Sequence, residues 1–285
     1  MRGKFGRNYR LDIFTPQGKQ ITIAPPFSIQ FNLSRNVLSS ANRGEINLYN
    51  LAPTTRDQIY KDRFSLVTVW PIILHAGYGD RLHTIFKGKI FEAYSYKQGT
   101  EWITKITFFD GMDAIQNGYS SFTVEKDTPK GTILDMVIND MPGAIKGIFG
   151  SIADGGEAPR GKSLIGQSSE ILATETDGNW FIDLEKINVL TDNEVIGGRV
   201  IKLDPDDLLG TPRRRETFLD VPVLFEPQIE VGHVFELESL ETKYNGQYKV
   251  LGFNHNVNIS GATAGQALTN ITLQFGASGL QEVKS

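Results

Sequence analysis

The 285-residue chain contains no cysteine, which excludes a disulfide framework, thiolate metal sites and thiol catalysis and suits a reducing cytosol. It also lacks an excess of either charge: 29 basic against 33 acidic residues give a formal net charge of -4, too little and too mixed for a global field that holds nucleic acid. No apolar run approaches the roughly 18 residues that a membrane span needs. Met1 to Arg10 lacks the apolar centre of a signal peptide, so the product is expected to be soluble and to stay in the cell until it assembles or the cell opens. The four histidines, His75, His83, His233 and His255, are scattered at no metal-ligand spacing and read as structural. Carboxylates are plentiful, yet nothing pairs them as acid and base for glycoside chemistry.

Glycine, by contrast, is abundant at 29 residues, which points to many turns and many short strands in a chain long enough for one large or two ordinary domains. Tyr9 to Phe14 and Ile21 to Ala24 read as a hairpin around Pro16-Gln17-Gly18-Lys19, stopped by Pro25-Pro26. Phe27, Ile29, Phe31 and Leu33 then alternate with polar residues, as do Ile46 and Leu48, the period of strands with one buried face. Pro53 can open a two-turn helix through Tyr60. Val67, Val69, Ile73 and Leu74 lead as a strand into a turn at Ala76-Gly77-Tyr78-Gly79. Residues 85–96 and 102–109 read as a hairpin turning at Lys97 to Thr100, with arms of about 35 Å that overhang a single compact sheet.

From about Ser120 to Leu190 the period becomes helical. Thr128 reads as an N-cap with Pro129 at the first helical position, ahead of the apolar stripe Ile133, Leu134, Val137, Ile138 and Met141. A second helix is expected over Ser168 to Thr176 with Gly178 as its stop, followed by a small hairpin of Trp180 to Asp183 and Ile187 to Leu190. The remainder is β again, with strands over 195–203, 221–225, 234–237, 248–257 and 271–275 and turns at Gly232, Asn245-Gly246 and Gly261 to Gly265.

Three motifs bear on chemistry. Gly156 to Ser163 fits the G-x-x-x-x-G-K-[ST] phosphate loop residue for residue, in which Gly156 and Gly161 would free the backbone, Lys162 would meet phosphates and Ser163 would hold magnesium. That reading, a nucleotide-binding protein, needs a parallel strand before the loop and a long helix from Lys162. Gly147 and Gly150 break the first segment, and Gly166 falls where the helix would run. Asp204, Asp206 and Asp207 lack the glycine and distal glutamate of a calcium loop. Arg213, Arg214 and Arg215 read as a loop, either a solvated one or one that contacts an acidic surface on a neighbouring subunit. A carbohydrate-binding β protein would need Trp70, Trp102 or Tyr119 to line a groove.

The order Ile-x-Leu-Tyr-Asn-Leu (residues 46–51), Thr-Arg-x-x-Ile in a short helix, Ala76-Gly77-Tyr78 and Phe86-x-Gly88-x-Ile90 resembles the hub proteins of bacteriophage tails and baseplates. Leu208 to Arg213, Gly232 before a strand, and Gly246-x-Tyr248-Lys249-Val250 followed by His255 extend the resemblance over nearly the whole chain. In that family a Gly-Lys-Ser-hydrophobic-x-Gly loop precedes the second helix and the Trp strand, which is similar to residues 161–166 here. The resemblance implies a mainly β fold with an α/β insert: two tail-tube-like barrel or sandwich modules, 1–118 and 193–285, flanking a small α/β domain at 119–192. It implies a structural virion protein and not an enzyme, without catalytic residue, cofactor or metal, made in the host cytoplasm. The chain would form a homotrimer, whose six modules meet the tail tube or its initiator above, a central spike below and baseplate proteins around, with DNA only passing through the lumen and no membrane contact.

Overall fold

The computed structural model describes residues 4–64, 69–203, 205–261, 265–276 and 279–284. It is mainly β, with short helices gathered in the middle of the chain. The first region runs β1 (Arg7–Phe14), β2 (Gln20–Ile23), β3 (Ile29–Asn36), β4 (Asn42–Tyr49), α1 (Pro53–Ile59), β5 (Pro71–Tyr78), β6 (Arg81–Gln98) and β7 (Glu101–Asp110). Alternation sets the register: Ile29, Phe31 and Leu33 of β3 face the same core as Ile46 and Leu48 of β4, and all five are buried. Gly44 on β4 has to be glycine, because a Cβ there would collide with the Phe108 ring. The neighbours are antiparallel in the order β3-β4-β7-β6-β5-β1-β2. Ala76, Gly77 and Tyr78 belong to β5, so the turn expected there falls at Gly79 and Asp80 instead. Val67, read as part of that strand, lies outside the described residues.

The middle of the chain runs α2 (Met112–Asn117), β8 (Tyr119–Val124), α3 (Lys130–Asn139), β9 (Ile145–Phe149), β10 (Lys162–Gln167), α4 (Ser168–Glu175), β11 (Trp180–Asp183) and β12 (Lys186–Val189). Leu134, Val137 and Ile138 of α3 meet Leu172 of α4 and Trp180, Ile182 and Ile187 in a core separate from that of the first sheet. β9 lies parallel to β12, and β8 pairs with β10 in a two-stranded ribbon. Pro129 is the N-cap of α3 rather than its first helical residue, and the Thr128 hydroxyl donates to the Glu125 carbonyl instead of capping the helix. Proline sits at this boundary without loss, having no N–H to leave unbonded.

The last region contributes β13 (Glu194–Lys202), β14 (Arg213–Arg215), β15 (Phe218–Leu224), β16 (His233–Leu237), β17 (Gly246–Ile259), β18 (Ala267–Gln274) and β19 (Gln281–Val283). β17 pairs with β18 on one side and with β3 on the other, from Gly252 opposite Asn36 to Ile259 opposite Ile29. The first and last regions therefore share one 14-stranded sheet among the described residues. β17 also serves two cores. Val250 and Phe253 pack with the last region, whereas Val257 and Ile259 pack with β1 to β7.

His255 of β17 is fully buried at this seam, its Nδ1 2.8 Å from Thr269 Oγ1 and its ring against Phe225 and Phe253. Burial, helped by the nearby Arg35 charge, pushes its pKa down to about 3, so the ring stays neutral in the fold while the unfolded chain protonates near 6.5. A base depressed in this way contributes stability that is complete above pH 6.5 and is lost as pH falls toward 3. Acidifying from pH 7 to 5 is expected to remove about 2 kcal/mol through this residue. Urea unfolding of wild type and His255→Gln at the two pH values checks it: the variant should lose correspondingly less, and equal slopes would reject the assignment.

Candidate assembly surfaces

A buried ionic cluster fixes the α/β segment to the sheet. Arg35 of β3, 1% exposed, grips Asp183 at the end of β11 with both ends of its guanidinium, Nε to Oδ1 at 2.7 Å and Nη2 to Oδ2 at 2.5 Å, and its Nη1 donates to the Ile85 carbonyl. Burial works against the Arg35 charge, but the Asp183 carboxylate more than offsets it and the guanidinium pKa is held above its ordinary value. The β11–β12 turn that follows places Leu184 and Glu185 at positive φ, 52° and 66°. Asp110 at the end of β7 accepts the Glu185 N–H at 2.9 Å and so holds that turn. Burial and the neighbouring Asp183 charge push Asp110 up to about 7. Lys87 of β6 closes the cluster on Glu185 at 2.5 Å.

The β6–β7 hairpin is covered on one side only. β4 accompanies β7 as far as Ile103, and Asn50 continues the pairing at Trp102, so on this side the hairpin does not overhang the sheet as its length suggested. β5, however, stops opposite Lys89, and beyond it β6 meets Trp70, which accepts the Ile90 N–H, and Lys61, which forms a two-bond bridge with Ala93 and donates its ammonium to the Phe91 carbonyl at 3.1 Å. From Tyr94 to Gln98 the outer edge of β6 has no strand partner among the described residues. Tyr94 and Tyr96 lie side by side there, ring centroids 6.0 Å apart, and Trp102 stacks under Arg56 at 3.7 Å. Trp102 is thus held by α1, while Trp70 packs against the first core and Tyr119 stands exposed on β8; none of the three lines the large groove described next.

Arg213, Arg214 and Arg215 do not form a loop but the short strand β14, paired with β15 at the end of the sheet. Pairing of Arg213 with Asp220 and of Arg215 with Phe218 makes the strand, since charged side chains at a sheet end stay in water on either face. Arg214 stacks on Phe275 at 4.5 Å, and Arg215 is ion-paired with Asp220. Arg213 and Arg215 turn the other way, onto the rim of a groove of about 1070 Å³ that runs between β14, β15, β17 and β18 on one wall and residues 34–39 and 178–181 on the other. At its base lies Lys249, which donates to the Thr191 and Asp192 carbonyls at 2.7 and 3.3 Å and whose pKa burial pushes down to about 8.

Residues 156–163 do not take the strand–loop–helix form of a phosphate loop. The chain after Gly161 continues as the strand β10, so the helix N-terminus on which such a loop depends is not there. Lys162 instead pairs with Glu175 of α4, which Lys130 also grips at 2.8 Å, and Ser163 lies 2.8 Å from the Thr123 hydroxyl across the ribbon. Titrating ATP and GTP with magnesium is therefore expected to give no heat, and Lys162→Ala should cost about 1 kcal/mol or less, the value of a half-exposed ion pair. Micromolar nucleotide affinity lost in that variant would reverse this. Asp204 lies outside the described residues, and Asp207 pairs with Lys4 at 2.9 Å. His75 stands by Asp12 and Thr84, and His233 by Glu230, and no group of three metal-ligating side chains occurs among the described residues. Nor, among these residues, is any helix long and apolar enough to cross a membrane.

A shared sheet with an α/β insert clamped to it defines a structural class. The chain has the fold of phage tail and baseplate proteins. It is similar to the 43 kDa tail protein of prophage MuSo2 from Shewanella oneidensis, with a TM-score of 0.62 at 9% identity over 93% of this chain and 96% of that one. It is similar also to a tail protein of Neisseria meningitidis MC58, TM-score 0.57 at 8% identity over 99% and 100% of the two chains. The Escherichia coli protein c3393, described as a type VI secretion component resembling the T4 tail proteins gp27 and gp5, matches with a TM-score of 0.54 at 8% identity over 90% and 76%. No protein-family model and no curated protein matches the sequence.

Proposed function

We propose that this chain is a baseplate hub, a structural tail protein that works as a homotrimer between the tail tube and a central spike. Residues 1–118 and 193–285 act as two tube-like modules per chain, so three chains present six modules to a sixfold tube while keeping threefold symmetry for the spike. The α/β segment at 119–192 faces outward to the surrounding baseplate proteins. No residue performs chemistry. The observation that carries the reading is the outer edge of β6 past Ala93, which no strand covers among the described residues, such an edge with Tyr94 and Tyr96 beside it being a hazard unless a neighbour covers it. In a head-to-tail ring each chain covers the next one's edge, and closure leaves none bare. DNA passes through the lumen without being held, in keeping with the net charge of -4. Assembled virions imaged by electron cryomicroscopy are expected to hold three copies of the chain around the tail axis. Six copies, one copy, or a last region turned away from the axis would overturn the proposal.

A further inference from the structure

The arginine strand and the groove beside it suit a ligand that neither a ring contact nor a bare solvent face requires. β14 ends the sheet, so its outer N–H and C=O groups have no strand partner among the described residues. Three consecutive arginines on so short an edge repel most strands that approach it, which is one way sheets guard their ends. A guard, however, needs no cavity behind it. Here Arg213 and Arg215 overhang a groove in which Leu38 and Phe218 are 65% and 39% exposed, and Arg213 has no side-chain hydrogen bond or ion pair among the described residues. The charge that rejects an ordinary strand selects an acidic one.

We infer that β14 is a strand-addition site for an extended acidic segment of a partner protein. The segment pairs its backbone with the outer edge of residues 213–215 and directs carboxylates at alternate positions, i and i+2, onto Arg213 and Arg215, since side chains alternate along a strand. The residues between those carboxylates alternate to the other face of the sheet, beside Arg214 and Phe275. Opposite charges across neighbouring strands favour this pairing, and a basic or neutral strand gains nothing from it. The reading as a tail component bears only on where such a segment comes from, not on whether the edge binds it.

The test uses the full-length chain and a fluorescein-labelled peptide, Glu-Val-Glu-Thr-Glu-Val-Glu-Thr, followed by anisotropy. Binding is expected to be at least tenfold tighter than for the same peptide with glutamine at every glutamate, and to weaken between 0.05 and 0.5 M salt. Arg213→Glu, which breaks no side-chain hydrogen bond or ion pair among the described residues, should lower the affinity at least tenfold, and amide exchange of residues 211–216 should slow when the peptide is present. Equal binding of the two peptides, no binding, or protection elsewhere would overturn the inference. So would Arg213→Glu dissolving a homo-oligomer of the wild-type chain, which would assign this edge to a second copy. The virion copy number is independent of all these outcomes, so the hub proposal stands or falls separately.

Discussion

Arg35→Ala is expected to destabilise the chain by about 3–5 kcal/mol, the cost of breaking a buried ion pair from one side. The guanidinium is 1% exposed, and its loss leaves Asp183 facing Asp110, two carboxylates with little water to share. The Ile85 carbonyl loses a donor as well. Because the pair ties β3 to β11, the damage should fall first on the attachment of the α/β segment. Equilibrium urea unfolding gives the magnitude, and amide exchange at Leu184 and Glu185, whose turn depends on this cluster, gives the place. Arg35→Met combined with Asp183→Leu should recover most of the loss, since it removes both charges and keeps the volume. A loss below 1 kcal/mol for the single variant would mean that water reaches Asp183.

Phe225→Ala should cost about as much, roughly 3–5 kcal/mol, by emptying the site of a buried ring. Phe225 follows β15 in the last region, yet it packs in the first core, against Phe31 and Tyr78 with ring centroids 6.0 Å away in each case and against His255 at 5.1 Å. Its carbonyl accepts the Tyr78 hydroxyl at 2.8 Å, a second link across the same seam. Calorimetry should show one cooperative transition in wild type, shifted down intact in Phe225→Leu. Two resolved transitions in wild type would indicate that the seam does not couple the regions.

Strands of the first sheet were legible where one face is wet, whereas β8 and β10, in a stretch that reads as helical, were not. Ile29, Phe31 and Leu33, like Ile46 and Leu48, alternate because water lies on one side of their sheet, and their positions follow from the sequence to within a residue or two. α2 was not legible, since Gly111 at φ 79° stands where a capping side chain would have announced it. β9 was missed because Gly147 and Gly150 break its pattern, and both are fixed by close approach to Asn188 and Glu194. The arginine run looked like a loop for lack of any apolar alternation, although backbone pairing with β15 alone suffices to make it a strand. The phosphate-loop match arose from a sequence whose glycines serve a turn and a ribbon. Nothing local joins Arg35 to Asp183, 148 residues apart, so the cluster that positions the insert became visible only in three dimensions.

The pairing of β3 with β17 also sets a clock on synthesis. Asn32 and Asn254, whose side chains bond across that seam at 2.7 Å, are 222 residues apart. At about 5–20 residues per second the ribosome needs roughly 10–45 s to supply the second after the first. For that interval the edge of β3 is an unfilled slot in the nascent chain, beside Phe31 and Leu33, and the first core lacks Phe225, Val257 and Ile259. Chaperones that bind extended apolar segments therefore have a defined window on this protein. Ribosome-bound chains arrested before residue 246 should be captured by them, and released chains should fold slowly, as long-range pairing of this kind dictates.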